Sequence, residues 1–420
     1  MNALRYSAEW RDDAPNAAPE ERATVADFRV WLDQRNVTMH LRGGHCFDYL
    51  TISLYSLAEG LAHDWWALFG GRDREISLIK HRSGYVVPDI RLKFDGAVFE
   101  ASAHQRIYHN PDVRFWAGPI EIMTRVDAEA QIGGFIECVL KRLKGVQDTS
   151  AALRWARVQA SRANPDEARF CESAGALGLD PYQINDVASD LIKRAASIFE
   201  GEPLTEFLAG AKGAPPDPLL QWIEAVEHRP GYEARVPELG AIAAQAARQS
   251  PQRDLELSWS LGYRRARAVR QAMNLRAGDR FRSFQTLARK LGASEHYALA
   301  APINGIRALR SDNNGIYIHV RHHGNSSQAH ALHLFTFARA VGDAACFPEH
   351  TKAPINDLHV ANRQAAGRAF AAEFLAPIDE IQSMQRDGSD IVSIADEFAV
   401  STPVIEHQIE NADRIRAACT

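Results

Sequence analysis

Phe335-Thr336-Phe337-Ala338-Arg339-Ala340-Val341-Gly342-Asp343 and, a little further on, Arg368-Ala369-Phe370-Ala371-Ala372-Glu373-Phe374-Leu375-Ala376-Pro377 are the two runs on which the fold turns. The first lies inside Ala331 to Ala345, which is apolar nearly all round and therefore reads as a helix buried on every side. The second closes a helix over Asn362 to Leu375, stopped by Ala376-Pro377 because proline cannot continue it. Charges carried by buried helices must find partners inside the core. Arg339 and Asp343 stand at i and i+4, so the spacing predicts an ion pair between them, with Gln364 and Glu373 as further acceptors.

Upstream, Gly305 to Arg310 and Gly315 to Arg321 flank Asp312-Asn313-Asn314-Gly315, a strong hairpin signal. Before it, Tyr263, Ala266, Val269 and Met273 keep helical spacing with arginine expected on the opposite face. Phe281, Phe284, Leu287, Ala288 and Leu291 form a second amphipathic helix stopped by Gly292. Downstream, Val392 to Phe398 and Thr402 to Asn411 make a closing helical pair, with Ser401 as N-cap.

That succession resembles the ImmA/IrrE family of bacterial zinc metallo-endopeptidases over roughly residues 257–415. Arg368 to Pro377 is similar to the family's A-N-x-F-A-A-E-L-L-M-P helix, and Ile394 to Ser401 to its closing pair. The resemblance implies a zinc peptidase with an HExxH helix, two histidines and a glutamate from it, and a third ligand from the next helix. Here Phe335 to Ala338 matches the lead-in, but Arg339, Ala340 and Asp343 stand in the His, Glu and His places, and Gln364 and Ala366 in the acid places. Arginine cannot coordinate zinc and alanine cannot activate water. No HExxH occurs elsewhere, so the degenerate positions Arg339, Ala340, Asp343, Gln364, Ala366 and Glu373 imply a pseudo-metallopeptidase with no cofactor. His319, His322, His323, His330, His333 and His350 are the residues from which a relocated metal site would be drawn. The favoured reading leaves them as solvated or core-satisfied imidazoles.

The net charge of −5 hides an asymmetry: residues 263–321 carry twelve Arg and Lys against three Asp and Glu, so the remainder carries −14. A segregated field of this kind points to an acidic partner, and Arg264, Arg265, Arg267, Arg270, Arg282 and Arg289 are the candidate contacts. The bland reading is a pair of amphipathic helices with solvated arginine faces.

The first 150 residues mix strand and helix signals. Ile90, Leu92 and Phe94 alternate ahead of Asp95-Gly96, a hairpin. Leu57, Leu61, Trp65 and Leu68 share a helix face, and so do Ile132, Phe135, Val139 and Leu143. Residues 151–256 read as helical, with Gly210 to Pro218 as a linker. The Glu167 to Phe199 stretch resembles a helix-turn-helix in outline only. Five scattered cysteines exclude a disulfide framework, and no apolar run approaches membrane-spanning length. The opening lacks the charged and apolar regions of a signal peptide, so a cytoplasmic location is expected.

The chain is therefore expected to be a multidomain α+β protein. Its parts are a β-containing domain at 1–150, a helical middle at 151–256 and an ImmA/IrrE-like metallopeptidase-type domain at 257–420. That last domain ends in a helix-turn-helix-like tail at 391–411. The expected function is non-catalytic and regulatory, acting on a helix-turn-helix repressor or its DNA in a bacterial stress, mobile-element or defence context. Two other classes stand beside it: a zinc-dependent endopeptidase with unusual ligands that cleaves a repressor, and a direct DNA-binding regulator using the basic stretch.

Overall fold

The computed structural model describes residues 3–11, 18–71, 75–109, 111–146, 148–211, 216–227, 235–293, 299–312, 316–357 and 362–419. It is a mixed α/β structure, and its contacts divide the chain into two compact units, Met1–Asn185 and Asp186–Thr420. The expected boundaries at 150 and 256 do not coincide with this division.

In chain order the first unit holds β1 (Leu4–Trp10), α1 (Pro19–Ala23), β2 (Val25–Leu32), β3 (Arg35–Asn36), β4 (His40–Arg42), β5 (His45–Phe47), β6 (Leu50–Ser53) and α2 (Tyr55–Gly70). There follow β7 (Glu75–Ser77), β8 (Asp89–Phe94), β9 (Phe99–His104), β10 (Arg106–His109), β11 (Asp112–Phe115), β12 (Ile120–Met123), α3 (Arg125–Arg142), α4 (Ser150–Ala163) and α5 (Pro165–Leu177). The strands form three antiparallel sheets: β1-β2-β3 with β6 also on β2, β10-β11-β4-β5, and β12-β9-β8-β7. The β8–β9 hairpin forms where Asp95-Gly96 places it, with Gly96 at φ 108°, a left-handed conformation that costs glycine little. Helix α2 supplies the centre of the core: Leu57, Leu61, Trp65, Trp66 and Leu68 are all buried. Trp65 and Trp66 are thus interior anchors. Helices α4 and α5 belong to this unit for a physical reason. Trp155 packs edge-on against Trp65 at 4.9 Å, and buried Arg154 ties the carbonyl of His63 (3.0 Å) to Asp180 (2.9 Å).

The second unit contains α6 (Asp186–Ala196), α7 (Gly201–Ala211), α8 (Pro216–Glu227), α9 (Leu239–Gln249), α10 (Ser258–Ala272), α11 (Phe284–Lys290), β13 (Ile306–Asp312), β14 (Ile316–Val320), α12 (Ser327–Cys346), β15 (Lys352–Asn356) and α13 (Asn362–Leu375). It closes with α14 (Ile378–Arg386), α15 (Ile391–Phe398), α16 (Thr402–Glu410) and α17 (Ala412–Cys419). The hairpin strands β13 and β14 pair antiparallel, and β15 pairs with the other edge of β13 across a bulge between Ile306 and Ala308. The hairpin tip, 313–315, and the centre of the expected linker, 212–215, lie outside the described residues. Pro216 and Pro218 instead open α8, where the first turn tolerates proline. Helix α12 is buried along most of its length, as its composition requires. A Cβ on Gly262 of α10 would collide with the Ala366 carbonyl of α13, and one on Gly342 of α12 with the Phe370 ring, so all three helices touch where side chains are absent. In the tail, Ala399 adopts a left-handed φ of 53° between α15 and α16. Ser401 takes the N-cap position without a side-chain capping bond.

Candidate functional site

Helices α12 and α13 carry the positions singled out in the sequence, and β15 runs beside them. Ala340 and Ala366 are fully buried and contribute only close packing. Arg339, Asp343, Gln364 and Glu373 are all buried as well. The structure corrects the expected pairing, because Arg339 and Asp343 bond to different partners in spite of their i, i+4 spacing.

The Arg339 guanidinium reaches β15 and the residue after it. One Nη donates to Asp357 Oδ1 at 2.6 Å, and the other donates to Asn356 O at 2.6 Å and Gln364 Oε1 at 2.7 Å. Gln364 in turn clamps the strand, donating to Pro354 O (3.0 Å) and accepting from Asn356 N (3.1 Å). Gln364 is therefore an acceptor for Arg339, as expected, and Glu373 is not. Glu373 instead accepts from Arg267 (2.7 Å), Ile378 N (3.2 Å) and Gln408 (3.1 Å). Burial pushes its carboxyl above the usual range, with Arg267 opposing.

Asp343 is held on both oxygens. Arg310 of β13 donates to Oδ2 at 2.7 Å and Arg363 of α13 donates to Oδ1. Arg363 also pairs with Glu206 of α7 and donates to Pro354 O at 2.6 Å, while Arg310 caps the carbonyls of Phe347 (3.1 Å) and His350 (2.5 Å). Arg310, Asp343, Arg363 and Glu206 are each at most 1 % exposed and sum to zero charge. Such a cluster is tolerable in a core only because each ion is matched. Burial works against the Arg363 cation, but Asp343 and Glu206 raise its pKa further.

Around Arg339 the balance is positive. Its pKa is lowered to about 10 by burial, Asp357 opposing and Arg368 adding to the fall. Asp357 is shared with Arg307 at 2.5 Å, and against the cost of burial the two guanidiniums hold its carboxyl below the usual range. The histidines gather nearby. His323 N donates to His333 Nε2 at 2.9 Å, and the rings of His322, His323 and His330 lie 5.2–6.3 Å from that of His333. Burial and the Arg321 and Arg307 cations lower His323 to about 3. Burial and the neighbouring imidazoles lower His333 to about 4. Among the described residues, no three His, Cys, Asp or Glu side chains converge with metal-binding geometry.

Beside Arg339 opens a cavity of about 400 Å³. Arg339, Asp357, Arg368, His323 and Ser326 contribute its polar lining, and Leu332, Phe335 and Val404 contribute apolar wall.

The basic stretch requires a second correction. Arg264, Arg265 and Arg270 do not face solvent: all three are buried. Arg264 pairs with Glu256 at 2.5 Å, Arg265 donates to Ala345 O at 2.9 Å, and Arg270 donates to Phe374 O at 2.8 Å. Arg267 bridges Glu373 and Asp379, and Arg282 pairs with Glu397 at 2.8 Å. Of the six candidates only Arg289 is exposed without a carboxylate partner among the described residues. Arg264, Arg267 and Arg282 are thus neutralised by carboxylates, and Arg265 and Arg270 donate to helix-end carbonyls of α12 and α13.

The sequence reading missed Asp357, Arg310, Arg363 and Glu206. Two of them had a weak signal: Glu206 is a lone acid among Leu204, Phe207 and Leu208, and Arg310 sits in an apolar strand run. No described helix is long and apolar enough to cross a membrane. No family model, curated protein or solved structure matches the chain.

Proposed function

We propose that the C-terminal part of this protein is a non-catalytic ImmA/IrrE-like domain that acts by binding, as a regulator of a bacterial stress, mobile-element or defence locus. Its partner on this reading is a helix-turn-helix repressor protein. One observation carries the proposal: the positions where such a peptidase would hold zinc are engaged in an arginine-centred hydrogen-bond network. Arg339 has no lone pair to offer a metal, and its donors are directed at Asp357, Asn356 and Gln364. Both oxygens of Asp343 are committed to Arg310 and Arg363, and Ala340 has no group with which to activate water. Direct DNA binding through the basic stretch is less favoured, because five of the six arginines it invoked are buried or paired, Arg289 being the exception.

The test mixes the purified chain with a helix-turn-helix repressor, with added zinc and separately with chelator, and follows both size and integrity. Co-elution with an intact repressor is the expected result. Chelator-sensitive cleavage would overturn the proposal in favour of a peptidase.

A further inference from the structure

We propose that a cavity in the first unit, lined by β4, β5 and the free edge of β6, binds a nucleotide, with the base edge on the backbone of Thr51 and the phosphate on Arg42. The cavity holds about 340 Å³, within the usual range for small-molecule sites. Strand β4 gives it His40 and Arg42, two residues apart and so on one face of the sheet. Phe47 of β5 stands opposite His40 in the ladder, the two rings stacked at 5.5 Å and 21°, and it is 38 % exposed. Tyr49 and Tyr85 add two more aromatic rings to the lining, so a flat base finds π surface there. The Tyr85 wall is fixed in place. Tyr108 of β10 donates to Val87 O at 2.9 Å and accepts from Arg82 at 3.2 Å, which pins the 82–87 loop to the sheet.

Leu50, Thr51 and Ile52 all line the cavity. Side chains alternate between the two faces of a strand, so three consecutive lining residues mean that the edge of β6, not one face, meets the cavity. The ladder fixes which groups that edge offers. Among the described residues β6 pairs only with β2, and Leu54 N donates to Thr24 O. Bonded pairs alternate from there, so Ile52 and Leu50 hold the bonded places opposite Ala26 and Phe28. Exposed Thr51, between them, turns its N–H and C=O away from β2, and neither has a backbone partner among the described residues. An adjacent donor and acceptor match the Watson–Crick edge of a nucleobase, which sets an acceptor beside a donor. Every base carries such a pair.

Charge points the same way. No Asp or Glu is among the described residues that line the cavity. His40 donates from Nδ1 to Thr38 O at 3.0 Å, and burial together with the Arg42 cation keeps its pKa below the ordinary value against that bond, so the ring is neutral. Arg42 is exposed and has no carboxylate partner among the described residues, which leaves its guanidinium free to take a phosphate. Aromatic walls and a lone cation select a base carrying phosphate over a peptide strand added to the same edge. The phosphate belongs either to a free nucleotide or to one unit of a single strand. A strand finds further cations at Arg82 and Arg106, whose guanidiniums lie 5.5 and 5.2 Å from the Tyr108 ring. The site lies in the first unit and stands independently of the function proposed for the C-terminal part.

The experiment is calorimetric titration of the full-length chain with AMP, adenosine, phenyl phosphate and a tetra-adenylate strand. AMP should bind at least about tenfold more tightly than adenosine, which lacks the phosphate, and than phenyl phosphate, which lacks the base edge. A tetranucleotide that binds more tightly than AMP, and loses affinity as salt rises, assigns a single strand; one that binds no more tightly assigns the free nucleotide. Arg42→Gln should weaken AMP about tenfold and leave adenosine unchanged. Thr51→Pro deletes an N–H that the ladder does not use and should weaken both, while Thr51→Val removes only the hydroxyl bonded to Asp27 and should weaken neither. A folded far-UV spectrum is the control for each variant. The inference is overturned if AMP does not bind at millimolar concentration, if adenosine or phenyl phosphate binds as tightly, or if Arg42→Gln binds AMP unchanged.

Discussion

Replacing Asp343 by alanine should be among the most damaging single changes in the second unit. The carboxylate accepts from Arg310 and Arg363, and its removal takes a four-ion cluster from neutral to a net +1 in a region at most 1 % exposed. Breaking a buried pair in this way costs about 3–5 kcal/mol. For a unit of this size that lowers the melting temperature by roughly 6–20 °C. Arg339→Met should cost less, about 1–3 kcal/mol. Asp357 is 42 % exposed and rehydrates, and Gln364 keeps its bond to Asn356 N. A double-mutant cycle read by urea denaturation separates the pairs. Coupling between Arg310 and Asp343 should reach about 1–3 kcal/mol, whereas coupling between Arg339 and Asp343 should stay within about 0.5 kcal/mol. Strong coupling of Arg339 to Asp343, or a cost below about 1 kcal/mol for Asp343→Ala, would refute the assignment of partners.

Arg264→Ala removes the partner of buried Glu256 and should destabilise by about 3 kcal/mol or more, while Arg282→Ala breaks an exposed pair and should cost less than about 1 kcal/mol; equal thermal shifts would revive the solvated-face reading. Gly262→Ala forces α10 away from α13 and should cost about 1–3 kcal/mol, seen as a lower urea midpoint at unchanged slope. The pH dependence follows from the histidines. His323 and His333 titrate at about 3 and about 4 in the folded chain, below their ordinary value, so the unfolded chain binds more protons as pH falls. Stability should accordingly decline from about pH 6.5 downward. His333→Gln should flatten that decline, and an unchanged profile would show that the buried imidazole does not contribute.

Local signals carried much of the fold. The Asp95-Gly96 hairpin, the helix faces around Trp65 and Phe135, the Asn362–Leu375 helix and the β13–β14 pair all follow from period, turn residues and proline. Partner choice for the arginines was not legible, because a guanidinium on a long stem selects among acceptors brought close by tertiary packing. Spacing favoured Asp343 for Arg339, yet β15 delivers Asn356 and Asp357 to Arg339, and β13 and α13 deliver two other arginines to Asp343. The same limitation explains the basic stretch. A count of charges between 263 and 321 cannot reveal that Glu256, Glu373 and Glu397 will meet them. The first compact unit extends past 150 because Trp155 and Arg154 contact residues about ninety positions earlier, beyond the reach of a composition change.

Zinc stoichiometry of the purified full-length chain, measured by elemental analysis after dialysis against micromolar zinc, decides whether helices α12 and α13 hold a metal. On the proposed non-catalytic reading, the arginine network around Arg339 predicts far less than one zinc per chain, with no gain in melting temperature on adding the metal. About one tightly held zinc per chain, lost on substitution of Asp343 or Gln364, would contradict the non-catalytic reading and favour a metallopeptidase instead.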